Sequence, residues 1–337
     1  MPRFHGRNGQ PYKIMKITSL NHQLIPTGVL LLTLLCANAR ATDILEVNGQ
    51  GNNDANSSGV WGGTPSGGNN YIMTLGAGSG TGSMFGLTGI NGRVRFSNAN
   101  ETFTGGSLTV SPLTEVLLKG QAQNGSVFDS ANFIMNGGVI RWGPNGALGT
   151  STNVLQGTMN VTANSYLVSA RVIALETARY FDINATITGS GGLTLLSGNQ
   201  ADLTSSTTNA FFVFNGNLSA YNGTLTLGNG TLAGEYLDLN PSSTSMAGVT
   251  IDLASTDATT TLQLDSALTV AGLTIGSNVI GPGTYDAGAL NALGDGGNFT
   301  GAGSLTIAPV PEPSTLAMMG SGLLGLIAVW KRSKQNS

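Results

Sequence analysis

Ile187-Thr188-Gly189-Ser190-Gly191-Gly192-Leu193-Thr194-Leu195-Leu196-Ser197-Gly198-Asn199 holds the pattern on which the fold turns. Glycines mark a tight corner, and the residues after it alternate apolar Leu with Thr. Alternation with period two describes a strand with one buried and one wet face. The same short phrase returns along the chain as GSLTV from Gly106, GTLTL from Gly223, GLTI from Gly272 and GSLTI from Gly303. In three places an aromatic residue stands before the corner, in FTGGSLTV from Phe103, YNGTLTL from Tyr221 and FTGAGSLTI from Phe299. The spacing between copies is irregular, so this is a degenerate array and not a tandem duplication.

Further corners lie between these copies: Asn91-Gly92, Asn136-Gly137-Gly138 and Asn229-Gly230, each followed by β-forming residues. Asn-Gly and Gly-Gly tolerate positive φ, which sharp turns require. No stretch of the body keeps a helical period with a cap at each end, and the best helical candidate, 168–181, reads equally well as strand. The expected fold is all-β. Two architectures satisfy it: a β-sandwich of antiparallel hairpins, or a β-solenoid whose coils stack short parallel strands over a continuous column of Leu, Val and Ile. The solenoid is preferred, because corners recur along nearly the whole body without the long alternating strand pairs that hairpins need.

Composition agrees. Of 337 residues, 50 are Gly and only 9% are charged, which excludes a polyelectrolyte-like disordered chain and argues against helix bundles. Glycine without a strict third-residue period also excludes collagen. The formal net charge is −3, which gives no basic footprint for nucleic acid, so nucleic acid is not an expected partner. No Lys or Arg occurs between positions 181 and 330, and the acids there form an anionic, hydroxyl-rich surface.

The chain divides into three parts: 1–41, a body over 42–309, and 310–337. In the first, Arg3, Arg7, Lys13 and Lys16 precede an apolar run at 29–36 and then the small residues Ala37, Ala39 and Ala41. That is the layout of a secretory signal helix for signal peptidase, with cleavage expected after Ala41. The single cysteine, Cys36, and both histidines, His5 and His22, lie within this leader. The exported body would therefore have no disulfides, no Cys/His metal site, and no Ser/His/Asp or Cys/His catalytic group. No metal or other cofactor is expected.

In the last part, Val310-Pro311-Glu312-Pro313-Ser314-Thr315 leads into an uncharged apolar run at 316–330, closed by Lys331, Arg332 and Lys334. The two prolines hold the backbone extended and exposed around Glu312. The apolar run would form a transmembrane helix of marginal length, and the basic cluster would stay cytoplasmic. These residues, in this order, resemble a PEP-CTERM sorting signal. The resemblance implies that Pro311, Glu312 and Pro313 are read by a membrane-embedded exosortase. It also implies a Gram-negative bacterium, transient anchoring in the inner membrane, and delivery to the cell surface, outer envelope or extracellular matrix. The repeat units around 187–199 also resemble autotransporter-type β-strand repeats, which implies a right-handed parallel β-helix.

Within the body, Ser58-Gly59-Val60-Trp61-Gly62-Gly63 reads as an amino-terminal cap strand with Trp61 over the first coil, and Trp142 as core or edge packing. For glycoside hydrolysis the candidate acid pairs are Asp238 with Asp252, or Asp257 with Asp265. For a sugar-binding module the candidate platforms are Tyr71 and Trp142. The expected function is neither of these. It is an exported structural or adhesive protein of the cell surface or exopolysaccharide matrix, with no enzymatic activity and with exopolysaccharide as partner. The alternatives are a secreted β-helix polysaccharide-degrading enzyme and a carbohydrate-binding module.

Overall fold

A computed structural model describes residues 41–46, 54–74, 82–84, 87–90, 92–98, 100–119, 126–143, 149–171, 176–199, 209–228, 235–240, 245–254, 260–293 and 298–309. Strands stack in two large sheets, and nearly every pairing within them is parallel. The antiparallel pairs among the described residues are a hairpin of Gly82–Met84 with Leu87–Ile90 and two pairings at the carboxyl-terminal end. A sandwich of hairpins is thereby excluded, and the body is a β-solenoid.

Each coil visits three faces. The first is built from Glu101–Phe103, Glu176–Ile183, Asn209–Phe214, Glu235–Leu239, Thr261–Leu264 and Asn298–Thr300. Two long strands, Ser126–Asn136 and Gly149–Ala163, carry this face round a corner into the second, which also holds Asn70–Ile72, Ser107–Val110 and Thr186–Gly189. The third face stacks Gly92–Phe96, Thr114–Leu118, Val139–Trp142, Ser165–Arg171, Leu193–Asn199 and Thr224–Leu227. The strands Ser245–Leu253 and Ala267–Ile275 turn from the second face to the third at a register shift after Met246.

The recurring Leu-Thr phrase is the register of this stack. On the third face Val94, Val116, Ile140, Leu167, Leu195, Leu227, Leu253 and Ile275 fall directly above one another and are all fully buried. Beside them Leu193, Leu225, Ile251 and Leu273 form a second file. Three copies of the phrase, at Gly191, Gly223 and Gly272, therefore occupy equivalent places on successive or alternate coils. The copies at Gly106 and Gly303 serve the second face. The first face buries its own file, Phe128, Leu155, Ile183, Phe214, Leu239 and Leu264. Corners are tight enough to demand glycine at Gly189, where φ is +98° and an added Cβ would lie 2.2 Å from the Val161 carbonyl oxygen.

Both ends of the stack are closed. At the amino end Ser58–Trp61 forms a short helix where a cap strand was expected, because the Ser57 hydroxyl accepts from the Gly59 amide and caps it. Trp61 does cover the first coils. It is buried, donates its indole N–H to the Ala55 carbonyl at 2.7 Å, and packs edge-on against Tyr71 at 5.1 Å. At the carboxyl end Gly283–Asp286 and Asn278–Ile280 add antiparallel strands to the last coil.

Leu195 sits mid-file with no exposed surface, whereas its neighbour Thr194 points outward. Leu195→Ala should lower unfolding stability by about 2–5 kcal/mol, and Thr194→Ala by less than about 1 kcal/mol. Chemical denaturation followed by circular dichroism measures both.

Candidate functional site

Parallel stacking decides which side chains meet on the surface, and the first face carries the densest set. Its strands repeat a tripeptide of an outward aromatic, an inward apolar residue and a third residue that is Asp in two copies and Val in one: Tyr180-Phe181-Asp182, Phe211-Phe212-Val213 and Tyr236-Leu237-Asp238. Phe181, Phe212 and Leu237 point inward and are buried. Tyr180, Phe211 and Tyr236 stack outside as a ladder, with ring centroids 4.5 and 4.8 Å apart. The first pair is nearly parallel, at 15° between ring planes, so the rings cover each other's faces. A sugar platform needs a free ring face, and an internal rung of this ladder gives solvent mainly its edge.

Beside the ladder runs the file Val154, Asp182, Val213, Asp238, Gln263 and Thr300. Asp265 adjoins it and accepts from Gln263 Nε2 at 2.7 Å. Burial, followed by the negative charges of Asp265 and Asp182, pushes the Asp238 carboxyl up to about 6. Burial also raises the Asp182 carboxyl and the Tyr236 hydroxyl. One Asp238 oxygen is fully buried and makes no hydrogen bond among the described residues.

Of the two acid pairs considered for hydrolysis, the one that lies wholly within the described residues is not assembled. Asp238 belongs to the first face, but Asp252 stands outward on the third, between Thr226 and Thr274. Asp257 lies outside the described residues, so its pairing with Asp265 does too. Asp182 and Asp238 are two rungs apart, which is roughly 9.6 Å at ~4.8 Å per rung, near the upper bound of ~9.5 Å for an inverting acid pair. Val213 occupies the rung between them. Nor are the sugar platforms free: Tyr71 and Trp142 are at most 1% exposed, as the packing reading of Trp142 anticipates. Among the described residues no group of three or more His, Cys, Asp and Glu is placed to hold a metal ion.

Arg93, Arg95, Arg141 and Lys119 gather instead along the third face, whereas Arg179 is buried on the first. Glu115, fully buried, bonds Arg141 at 2.7 Å and Arg93 at 3.2 Å. Burial and the cations of Arg95, Arg141 and Arg93 lower the Lys119 amine below its ordinary value. Around this cluster the expected alternation fails, since every residue of Thr114–Leu118 and Val139–Trp142 is buried. Arg93 and Arg141 are thus tied to a buried carboxylate.

Of the residues expected to direct export, Ala41 is exposed at the entrance to the first strand, Asp43–Leu45. Ala37, Ala39, Pro311, Glu312, Pro313, Lys331, Arg332 and Lys334 lie outside the described residues, as do the expected signal and transmembrane helices. Among the described residues no helix is long and apolar enough to cross a membrane.

Residues 309–333 match the PEP-CTERM protein-sorting motif. The match includes Pro311, Glu312 and Pro313 together with Lys331 and Arg332. No curated protein and no solved structure matches the chain. The motif marks an exported, envelope-associated protein sorted and processed by an exosortase.

The amino-terminal cap carries a titration of its own. Glu101 tops the inward file of the first face, accepting from the Asn98 amide at 2.9 Å and from Asn56 Nδ2 at 3.2 Å. Glu46, also buried, accepts from the Thr74 amide at 3.1 Å. Burial raises both carboxyls from 4.5 to about 7, against the lowering effect of those amide bonds, and at Glu101 Asp54 adds to the rise. A carboxyl raised by folding favours the folded state below its ordinary value, and that contribution disappears as pH climbs through the folded value. Melting temperature should therefore fall from pH 5 to pH 8, and fall less in Glu46→Gln/Glu101→Gln, as thermal denaturation across that range will measure.

Proposed function

We propose that the exported body is a non-catalytic structural or adhesive element of the cell surface or exopolysaccharide matrix. Signal peptidase would release the leader, the tail would anchor the chain briefly in the inner membrane, and an exosortase would then process it. The Gram-negative setting and the kinship of the coils with autotransporter-type repeats belong to this reading.

The observation that carries it is the chemistry of the outward positions on the second and third faces. Thr158 aligns with Thr186, Asn160 with Thr188, and Thr194 with Thr226, each file advancing one rung per coil. Hydroxyls and amides thus repeat along a rigid rod at ~4.8 Å. Each can exchange a hydrogen bond with water for one with a polysaccharide hydroxyl at little net gain. Many such contacts held on one rod reinforce one another through effective concentration. A hydrolase needs the opposite, a few converging groups around one bond.

The enzyme alternative draws support from Asp238, whose carboxyl at about 6 suits a general acid. Reducing-sugar release from a broad polysaccharide panel separates the two readings. Wild-type protein should release nothing, and release that Asp238→Asn abolishes would establish a hydrolase. For sorting, the mass of the carboxyl-terminal peptide should differ between cells with and without the exosortase. An intact Trp330-Lys331-Arg332 end in both would contradict processing.

A further inference from the structure

Where the second face turns into the third, the surface sinks into a groove of about 300 Å³ whose lining includes Asn164, Tyr166, Gly192, Thr194, Thr224 and Thr226. The groove crosses three coils in register, because Tyr166 stands above Thr194 and Thr194 above Thr226. Its depth comes from a missing side chain. A Cβ on Gly192 would enter the space between Asn164 and Thr224, reaching 2.8 Å from Asn164 Oδ1. The floor is rigid: the buried Tyr221 hydroxyl bonds the Gly191 carbonyl at 2.8 Å and the Thr224 carbonyl at 3.1 Å. Asn164 is held at the rim by accepting from the Gly192 amide at 2.9 Å.

We propose that this groove binds a neutral glycan chain lying along the solenoid axis, with one sugar unit per coil. The proposal rests on the scaffold reading above and gives it a site and a ligand class. The lining carries hydroxyls, amides and one aromatic ring but no charged side chain, which matches the donors and acceptors of an uncharged sugar. Rung spacing, ~4.8 Å, is close to the length of one pyranose unit, so Tyr166, Thr194 and Thr226 can each address a successive residue. Tyr166 closes one end, since the next position in its file, Val139, is buried. At the other end the file passes to Asp252 and then Thr274. A carboxylate there can accept from a neutral sugar but repels a uronate. The floor and Asn164 are already ordered, so little conformational entropy is lost on binding.

The test uses the full chain in detergent, titrated with β-1,4- and α-1,4-linked glucose oligomers and with oligogalacturonates. Wild-type protein should bind a neutral oligomer saturably and bind the uronates more weakly. Thr194→Val/Thr226→Val removes two hydroxyls while keeping β-branched side chains at outward strand positions. It should bind at least about tenfold more weakly, the effect of two lost hydrogen bonds, with an unchanged melting temperature. Val279→Ser, on the exposed antiparallel strand, should bind like wild type. Neutral-glycan binding that the double variant retains would overturn the groove and leave the scaffold reading standing. Tighter binding of uronates would overturn the ligand class. Binding to no glycan at all would overturn both readings.

Discussion

In-register parallel stacking of short strands is the constraint from which the other features follow. Inward files such as Val116, Ile140, Leu167 and Leu195 lose all their exposure only when each coil sits directly above the last. A slip of one residue would turn every buried Leu outward and every Thr inward. The register that hides the core therefore also aligns the surface. The aromatic ladder, the acid file on the first face and the hydroxyl files on the others are outward counterparts of the same alignment.

A stack of this kind leaves open strand edges at both ends, and such edges invite pairing between chains. Here one device guards the first face at each end. At the amino end Asn56 donates to the Thr102 carbonyl at 2.9 Å and accepts from the Thr104 amide at 3.0 Å. At the carboxyl end Asn291 donates to the Phe299 carbonyl and accepts from the Phe299 amide, both at 2.9 Å. In each case a single side-chain amide takes the place of the next strand. Asn56 also bonds Glu101, so the end clamp and the cap titration share one residue. These closures suit a rod that meets its surroundings along its sides.

Much of this was legible in the chain. Gly-x-Leu-Thr phrases gave the strand period, and their corners gave the turns of the coil. The final residues announced their sorting role because an extended Pro-Glu-Pro, an apolar run and a basic end must follow one another in space as in sequence. Coil register was not legible, because partners on neighbouring coils lie anywhere from 22 to 37 residues apart. Asp238 and Asp252, close in sequence, stand on different faces because a single coil turns between them. The Tyr180, Phe211 and Tyr236 ladder had a signal in its recurring tripeptide, but with too little glycine around it to resemble the main phrase. Glu115 escaped notice because its two arginines come from strands on either side. Trp61 was recognisable as a cover by its size, although the helix that holds it depends on one local bond from the Gly59 amide.

Register is also what a direct measurement should address. With Cys36 replaced by serine, the body offers no competing thiol, and two cysteines can be introduced at Thr194 and Thr226. Their Cβ atoms should stand one rung apart, near the reach of a disulfide, so mild oxidation should link them within one chain in high yield. Cysteines at Thr194 and Thr224, two residues out of register, should stay reduced. Linkage of the second pair in preference to the first would show that the coils do not stack as described.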